Sequence, residues 1–159
     1  MNPGLPSLDE LYREVILDHY QSPRNRGRLA DPDVASAGSN PLCGDEIELS
    51  LRIRDGQVAD VAFEGRGCSI SQASASMMTE AIKGRPLAEV REVLGAFKRL
   101  MTERDATDVD LAALGDLEAL QGVRRYPVRV KCAVLPWNVL QESLDLYRAG
   151  QARARAREE

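Results

Sequence analysis

The chain is poor in the residues that usually announce a function. It has three cysteines, one histidine, one tryptophan and two phenylalanines in 159 residues. Three thiols cannot all pair within one chain, so a disulfide framework is excluded as the organising device. So few aromatic rings leave little on which nucleobases could stack. A net charge of −4 leaves no surplus of positive charge to meet phosphates. Nucleic acid is therefore not an expected partner. There is no run of about 18 apolar residues, and so no expected membrane span. Residues Met1 to Pro6 offer neither a basic segment nor an apolar one, so no signal peptide is read there. The expected compartment is cytoplasmic, where thiols stay reduced. Three readings remain for the cysteines: inert packing, a reactive thiol or a metal site.

What is present is an ordinary globular composition. Apolar residues make up 43% and charged residues 29%, enough for one buried core. The length fits one domain, expected over residues 1–150, followed by a flexible tail over 151–159. The expected fold class is α+β, with a small antiparallel sheet of about three strands packed against about five helices. Nothing in the sequence suggests more than a monomer.

Ser7 and Glu10 form a capping box for a helix over residues 7–20, with Leu8, Leu11, Tyr12, Val15, Ile16 and His19 as its stripe. His19 on that stripe reads as a packed or capping residue. Residues 22–40, rich in Pro, Gly, Asp, Asn and Ser, read as a long irregular connection with a short edge strand over 34–38. Ile47, Leu49, Leu51 and Ile53 alternate with polar residues as one strand of a hairpin. Asp55-Gly56 makes its turn, and residues 58–64 return with Ala59, Val61 and Phe63 on one face. Helices are expected over 71–83, ending at Gly84, and over 86–103, with shorter pieces at 108–114 and 116–121. Pro127 and the β-branched residues after it predict extended chain over 126–130. Cys132 then opens a last helix, with Pro136 in its first turn and Gly150 at its end.

The hairpin brings Cys43, just before its first strand, next to Cys68, just after its second. Cys68 and Cys132 are both expected at helix N-termini, where free backbone N–H groups and the helix dipole favour thiolate. Gly44 permits a close turn beside Cys43, and Asp45 can set a carboxylate oxygen near the same point. Three thiolates and one carboxylate make a four-ligand set suited to tetrahedral zinc. Thiolates suit an iron–sulfur cluster equally.

Four segments carry a resemblance. They are His19-Tyr20-Gln21-Ser22-Pro23-Arg24-Asn25-Arg26-Gly27, Asn40-Pro41-Leu42-Cys43-Gly44-Asp45, the run from Gly65 through Cys68 to Ser76, and Arg129-Val130-Lys131-Cys132-Ala133. In this order they resemble the signature segments of the IscU/SufU family of iron–sulfur cluster assembly proteins, from about Ser7 to Tyr147. Lys131 stands where the IscU branch has a ligating histidine, and protonated lysine is a poor ligand. The fourth ligand then falls to Asp45. Residues 84–122 look longer than in IscU, like the insertion of the SufU branch. Tyr126-Pro127-Val128-Arg129 replaces the double-proline-lysine sequence that IscU proteins offer to a chaperone.

The resemblance implies a role in iron–sulfur cluster biogenesis, as a zinc-bound sulfur acceptor and activator of its partner rather than a stand-alone enzyme. The partner would be a SufS-type cysteine desulfurase that uses pyridoxal phosphate and supplies sulfur as a persulfide. A SufBCD-type scaffold would be a further partner. Zinc would be held by Cys43, Asp45, Cys68 and Cys132. By resemblance, a desulfurase histidine replaces one cysteine on the metal, and the freed acceptor is Cys43. From the residues themselves, Arg129 would steer the site or hold the freed Asp45, and Lys131 would either act on the thiolates electrostatically or stand as a solvated charge. The alternatives are a scaffold that itself assembles a cluster, and a structural zinc adaptor without sulfur chemistry.

Overall fold

A computed structural model describes residues 7–103 and 114–158, with side chains described to residue 151. The order is α1 (Leu8–Gln21), β1 (Val34–Asn40), β2 (Asp45–Arg54), β3 (Gln57–Arg66), α2 (Ser69–Ile82), α3 (Leu87–Thr102), a 3-10 helix (Gly115–Val123) and α4 (Pro127–Glu158). The three strands form one antiparallel sheet in the order β1-β2-β3, so the fold is α+β as expected.

Asp55 and Gly56 both have positive φ, +54° and +73°, the primed turn that matches the twist of a two-residue hairpin. Pairing of Glu46 with Arg66 closes the far end of the hairpin. A bulge between Arg52 and Ile53 pairs Ile53 with Val58. This bulge puts Val58, not Ala59, in the core beside Val61 and Phe63. β1 is two residues longer than expected, ending at Asn40 beside Asp45. The irregular connection is confined to residues 22–33 and runs along the edge of β3. There Phe63 donates its N–H to Asn25 O at 3.0 Å and accepts from Gly27 N–H at 2.8 Å.

The inner face of the sheet carries Ile47, Leu49, Leu51 and Ile53, all buried. α2 lies against the sheet and is buried from Ser71 to Thr79, which explains its run of small Ala and Ser residues. Met77 and Met78 are both core residues, as expected. Ser74 ties α2 to α4, donating to Ala133 O at 2.6 Å and accepting from Trp137 Nε1 at 3.1 Å. Trp137 is fully buried and stacks on Phe97 of α3 with ring centroids 4.5 Å apart. Gly38 lets β1 approach α4, because a Cβ there would sit 2.7 Å from Val139 Cγ2.

α1 buries Ile16 and His19, but Leu8 and Leu11 of its expected stripe are exposed. His19 is held between elements: Nδ1 lies 2.8 Å from Ser76 Oγ and Nε2 lies 2.9 Å from Asp116 Oδ2. It thus joins α1 to α2 and to the 3-10 helix, as a packed residue. The short helix expected at 116–121 is that 3-10 helix. The piece expected at 108–114 lies outside the described residues, apart from Leu114.

The last helix differs most from expectation. Residues 127–130 are helical, not extended: Pro127 occupies the first helical position, where its missing N–H costs nothing. Cys132 is therefore in the second turn, not at the N-terminus. Pro136 is interior, so the helix lacks the bond that residue 136 would donate to the carbonyl of Cys132. Helix also continues past Gly150 to Glu158. Among the described residues, no helix is long and apolar enough to cross a membrane.

Candidate metal and sulfur site

The end of the hairpin, the start of α2 and the second turn of α4 meet at one point. Cys43, Asp45 and Cys132 bring one ligand atom each within 4.8 Å of one another. Cys43 Sγ and Cys132 Sγ lie 3.4 Å apart. Cys68 caps α2, its sulfur accepting from Ser71 N–H at 3.5 Å. The Cys68 sulfur also lies 3.9 Å from Asp45 Oδ2. Of the four residues expected from the sequence, Cys43, Asp45 and Cys132 thus form one close group, and Cys68 stands beside it at Asp45.

Asp45 is the centre of this arrangement. It is fully buried, and its Oδ1 accepts from Cys68 N–H at 2.9 Å. Among the described residues, no Lys, Arg or His side chain forms an ion pair with it. A buried carboxylate without a cation costs several kcal/mol. Three thiols beside it add further potential negative charge. A buried carboxylate and three thiols are a donor set that fits a soft-to-borderline metal.

The glycine before Cys68 builds the same pocket. Gly67 has φ +144°, and a Cβ there would sit 2.2 Å from Asp45 Oδ1. Gly67→Ala is expected to cost about 2–4 kcal/mol by strain and overlap. It should also displace the carboxylate. Comparing chemical denaturation midpoints with and without metal checks both effects.

Cys68 occupies the N-cap of α2 as expected, whereas Cys132 is not at a helix N-terminus. Burial pushes the Cys132 thiol above its ordinary 9.0, and hydrogen bonds with Asp45, Cys43 and Cys68 add to the shift. Ionising it without a cation is unfavourable in this pocket. The sign for the metal-free chain follows from linkage. The unfolded thiol ionises first, so stability is held below about pH 9 and declines above it. Urea titrations of metal-free protein between pH 7 and 10 should record that fall. A midpoint that rises across this range would contradict it.

The cluster opens into a cleft of about 610 Å³ that also holds Arg13, Arg125, Tyr126 and Arg129. Arg129 stacks over the Tyr126 ring at 4.7 Å. Lys131 is exposed and lines a different groove, with Ser39, Asn40 and Thr102. Sequence reasoning missed Gly67, Ser71, Arg13 and Arg125. Gly-Arg-Gly before Cys68 was the one legible signal, since paired glycines suggest close approach. Arg13 and Arg125 reach the cleft only through packing of α1 against the 3-10 helix.

With this geometry in hand, the chain can be set beside known proteins. Residues 11–152 match the family described as the NifU-like N terminal domain. The zinc-dependent sulfurtransferase SufU of Bacillus subtilis strain 168 is 48% identical over 139 residues, covering 87% of this chain and 92% of that protein. The iron–sulfur cluster assembly scaffold protein IscU of Thermotoga maritima is 40% identical over 134 residues, covering 84% and 92%. A crystal structure of a candidate SUF-system iron–sulfur cluster assembly scaffold from Fervidobacterium islandicum AW-1 superposes with a TM-score of 0.77. It is 34% identical and covers 82% of this chain and 94% of that one.

Proposed function

Because this chain belongs to the NifU-like N-terminal domain family of IscU and SufU proteins, we propose that it is a zinc-bound sulfur acceptor in iron–sulfur cluster assembly. In this reading it draws sulfur from a SufS-type cysteine desulfurase and passes it on toward a SufBCD-type scaffold. The observation that carries the reading is the fully buried Asp45 carboxylate among three thiols, with no ion-pair partner among the described residues. The relative from Bacillus subtilis, named as a zinc-dependent sulfurtransferase, supports the choice of metal.

Cys43, Asp45, Cys68 and Cys132 would hold the zinc. When bound, zinc supplies the positive charge that keeps buried thiols ionised and shielded from oxidants. The three sulfurs are not equivalent. Cys132 is buried within a helix and Cys68 is fixed as the cap of α2. Cys43 sits in the turn between β1 and β2, half-exposed beside Gly44 with φ +68°. It can swing toward a partner at the least cost in packing, so Cys43 is the acceptor. Its thiolate attacks the outer sulfur of the partner's persulfide. The S–S bond of the donor breaks, the donor cysteine leaves as thiolate, and Cys43 carries the persulfide without net oxidation. Asp45 keeps Cys68 N–H, and with it the start of α2, in place during this exchange.

The deciding assay follows sulfide release by a cysteine desulfurase with and without this protein, together with metal analysis of protein purified without added metal. About one zinc per chain and a rise in turnover support the acceptor. No rise in turnover sinks it. The scaffold reading uses the same thiols and is favoured by the IscU relatives; an iron–sulfur chromophore in the purified protein would select it.

A further inference from the structure

The cleft beside the cysteines has a charge character that the sulfur-accepting step does not use. Three guanidinium groups, those of Arg13, Arg125 and Arg129, line it together with Cys43, Cys68 and Cys132. Among the described residues, neither Arg13 nor Arg129 has a carboxylate partner. Arg125 alone has one, at the outer limit of an ion pair, 3.9 Å from Asp9. The chain as a whole carries −4, yet this cleft is lined by three arginines against one carboxylate, Asp9. The floor between the arginines is apolar, formed by residues such as Ile16, Leu17 and Val123. A cleft of about 610 Å³ with an apolar floor and a few charged groups suits a small organic anion.

From this placement we propose that the cleft binds a small anionic thiol, a carboxylate-bearing molecule of low molecular weight, which takes the sulfane sulfur from Cys43. The inference rests on the acceptor reading above and names the substrate of its second half. The arginines hold the carboxylate, and the thiol end reaches the sulfur cluster. The step balances without an added oxidant or reductant. The small molecule's thiolate attacks the outer sulfur of the Cys43 persulfide. That sulfur leaves with it as a small-molecule persulfide, and Cys43 returns as thiolate. Guanidinium groups suit this task because they stay charged at every working pH and hold a carboxylate through two donors.

The test uses the full, metal-loaded chain. Cys43 is loaded by two routes, with a desulfurase and L-cysteine, and with inorganic polysulfide. Persulfide lost from Cys43 is then followed by mass spectrometry against 3-mercaptopropionate (anionic), 2-mercaptoethanol (neutral) and cysteamine (cationic), with rates expressed per thiolate. The anionic thiol is expected to saturate and to discharge Cys43 about 10-fold faster than the neutral one at low salt. The cationic thiol should be slowest, and the spread should shrink as salt screens the cleft. In the double variant R13Q/R125Q the three rates should fall within about twofold of one another, while R13K/R125K should keep the order. Equal rates in the native chain, a cationic thiol as the fastest, or an anionic preference that survives R13Q/R125Q would overturn the proposal. Loading by polysulfide but not by the desulfurase sinks the acceptor reading and leaves the thiol comparison able to decide. Absence of Cys43 persulfide by either route overturns both.

Discussion

Cys43→Ala is expected to abolish stimulation of a cysteine desulfurase, lowering transfer by on the order of 100-fold or more. The protein should remain folded, because Cys43 lies in a half-exposed turn and contributes little to the core. Cys43→Ser should fail nearly as badly, since a hydroxyl at neutral pH does not offer the anion that attacks sulfur. Cys68→Ala and Cys132→Ala should fail differently. Weakened metal binding is expected in all three variants, but Cys68 caps α2 and Cys132 is buried, so a larger loss of thermal stability should accompany loss of activity in these two. Full stimulation by Cys43→Ala would transfer the acceptor role to another thiol and undo the assignment.

Asp45→Asn should produce a crossed signature. With metal, the loss of one anionic ligand is expected to weaken zinc binding by about 100-fold or more, beyond the 10–100-fold typical of an outer-shell change. Without metal, the same change removes a buried charge that has no cation, so the variant should be more stable than the native metal-free chain by about 1–3 kcal/mol. Asparagine keeps a carbonyl oxygen where Asp45 accepts Cys68 N–H, which separates the charge from the cap. Asp45→Ala removes both, and its metal-free form should be less stable than that of Asp45→Asn by about 1–3 kcal/mol through the unsatisfied N–H. Chelator competition for the first effect and paired urea titrations for the second are the measurements. Unchanged zinc affinity in both variants would take Asp45 out of the ligand set.

The hairpin was legible because its signals are local. Alternation at Ile47 to Ile53 and Asp55-Gly56 at the turn act over a few residues. They place Cys43 and Cys68 as neighbours by strand pairing alone. The burial of His19 and of Met77-Met78 was also legible, from helical spacing. What misled was proline. Pro127 reads as a helix breaker beside Val128 and Val130, yet a helix accepts proline at its first position, and packing of α4 on the sheet overrides β-branched preference. The error moved Cys132 from the second turn to the N-cap and supplied it with a dipole it does not feel. The bulge at Arg52, which turned Ala59 out and Val58 in, left no mark in the alternation either.

By itself the sequence determined the donor types, the hairpin that pairs two of them, and the family resemblance carried by four segments. Those depend on residue identity and on contacts near in the chain. Only the tertiary structure decided that Asp45 is buried with no ion-pair partner among the described residues, that Gly67 makes the space for it, and that burial pushes the Cys132 thiol above its ordinary range. Each of these depends on which groups are excluded from water. That is settled by the meeting of β2, α2 and α4, elements whose contacts lie far apart along the chain.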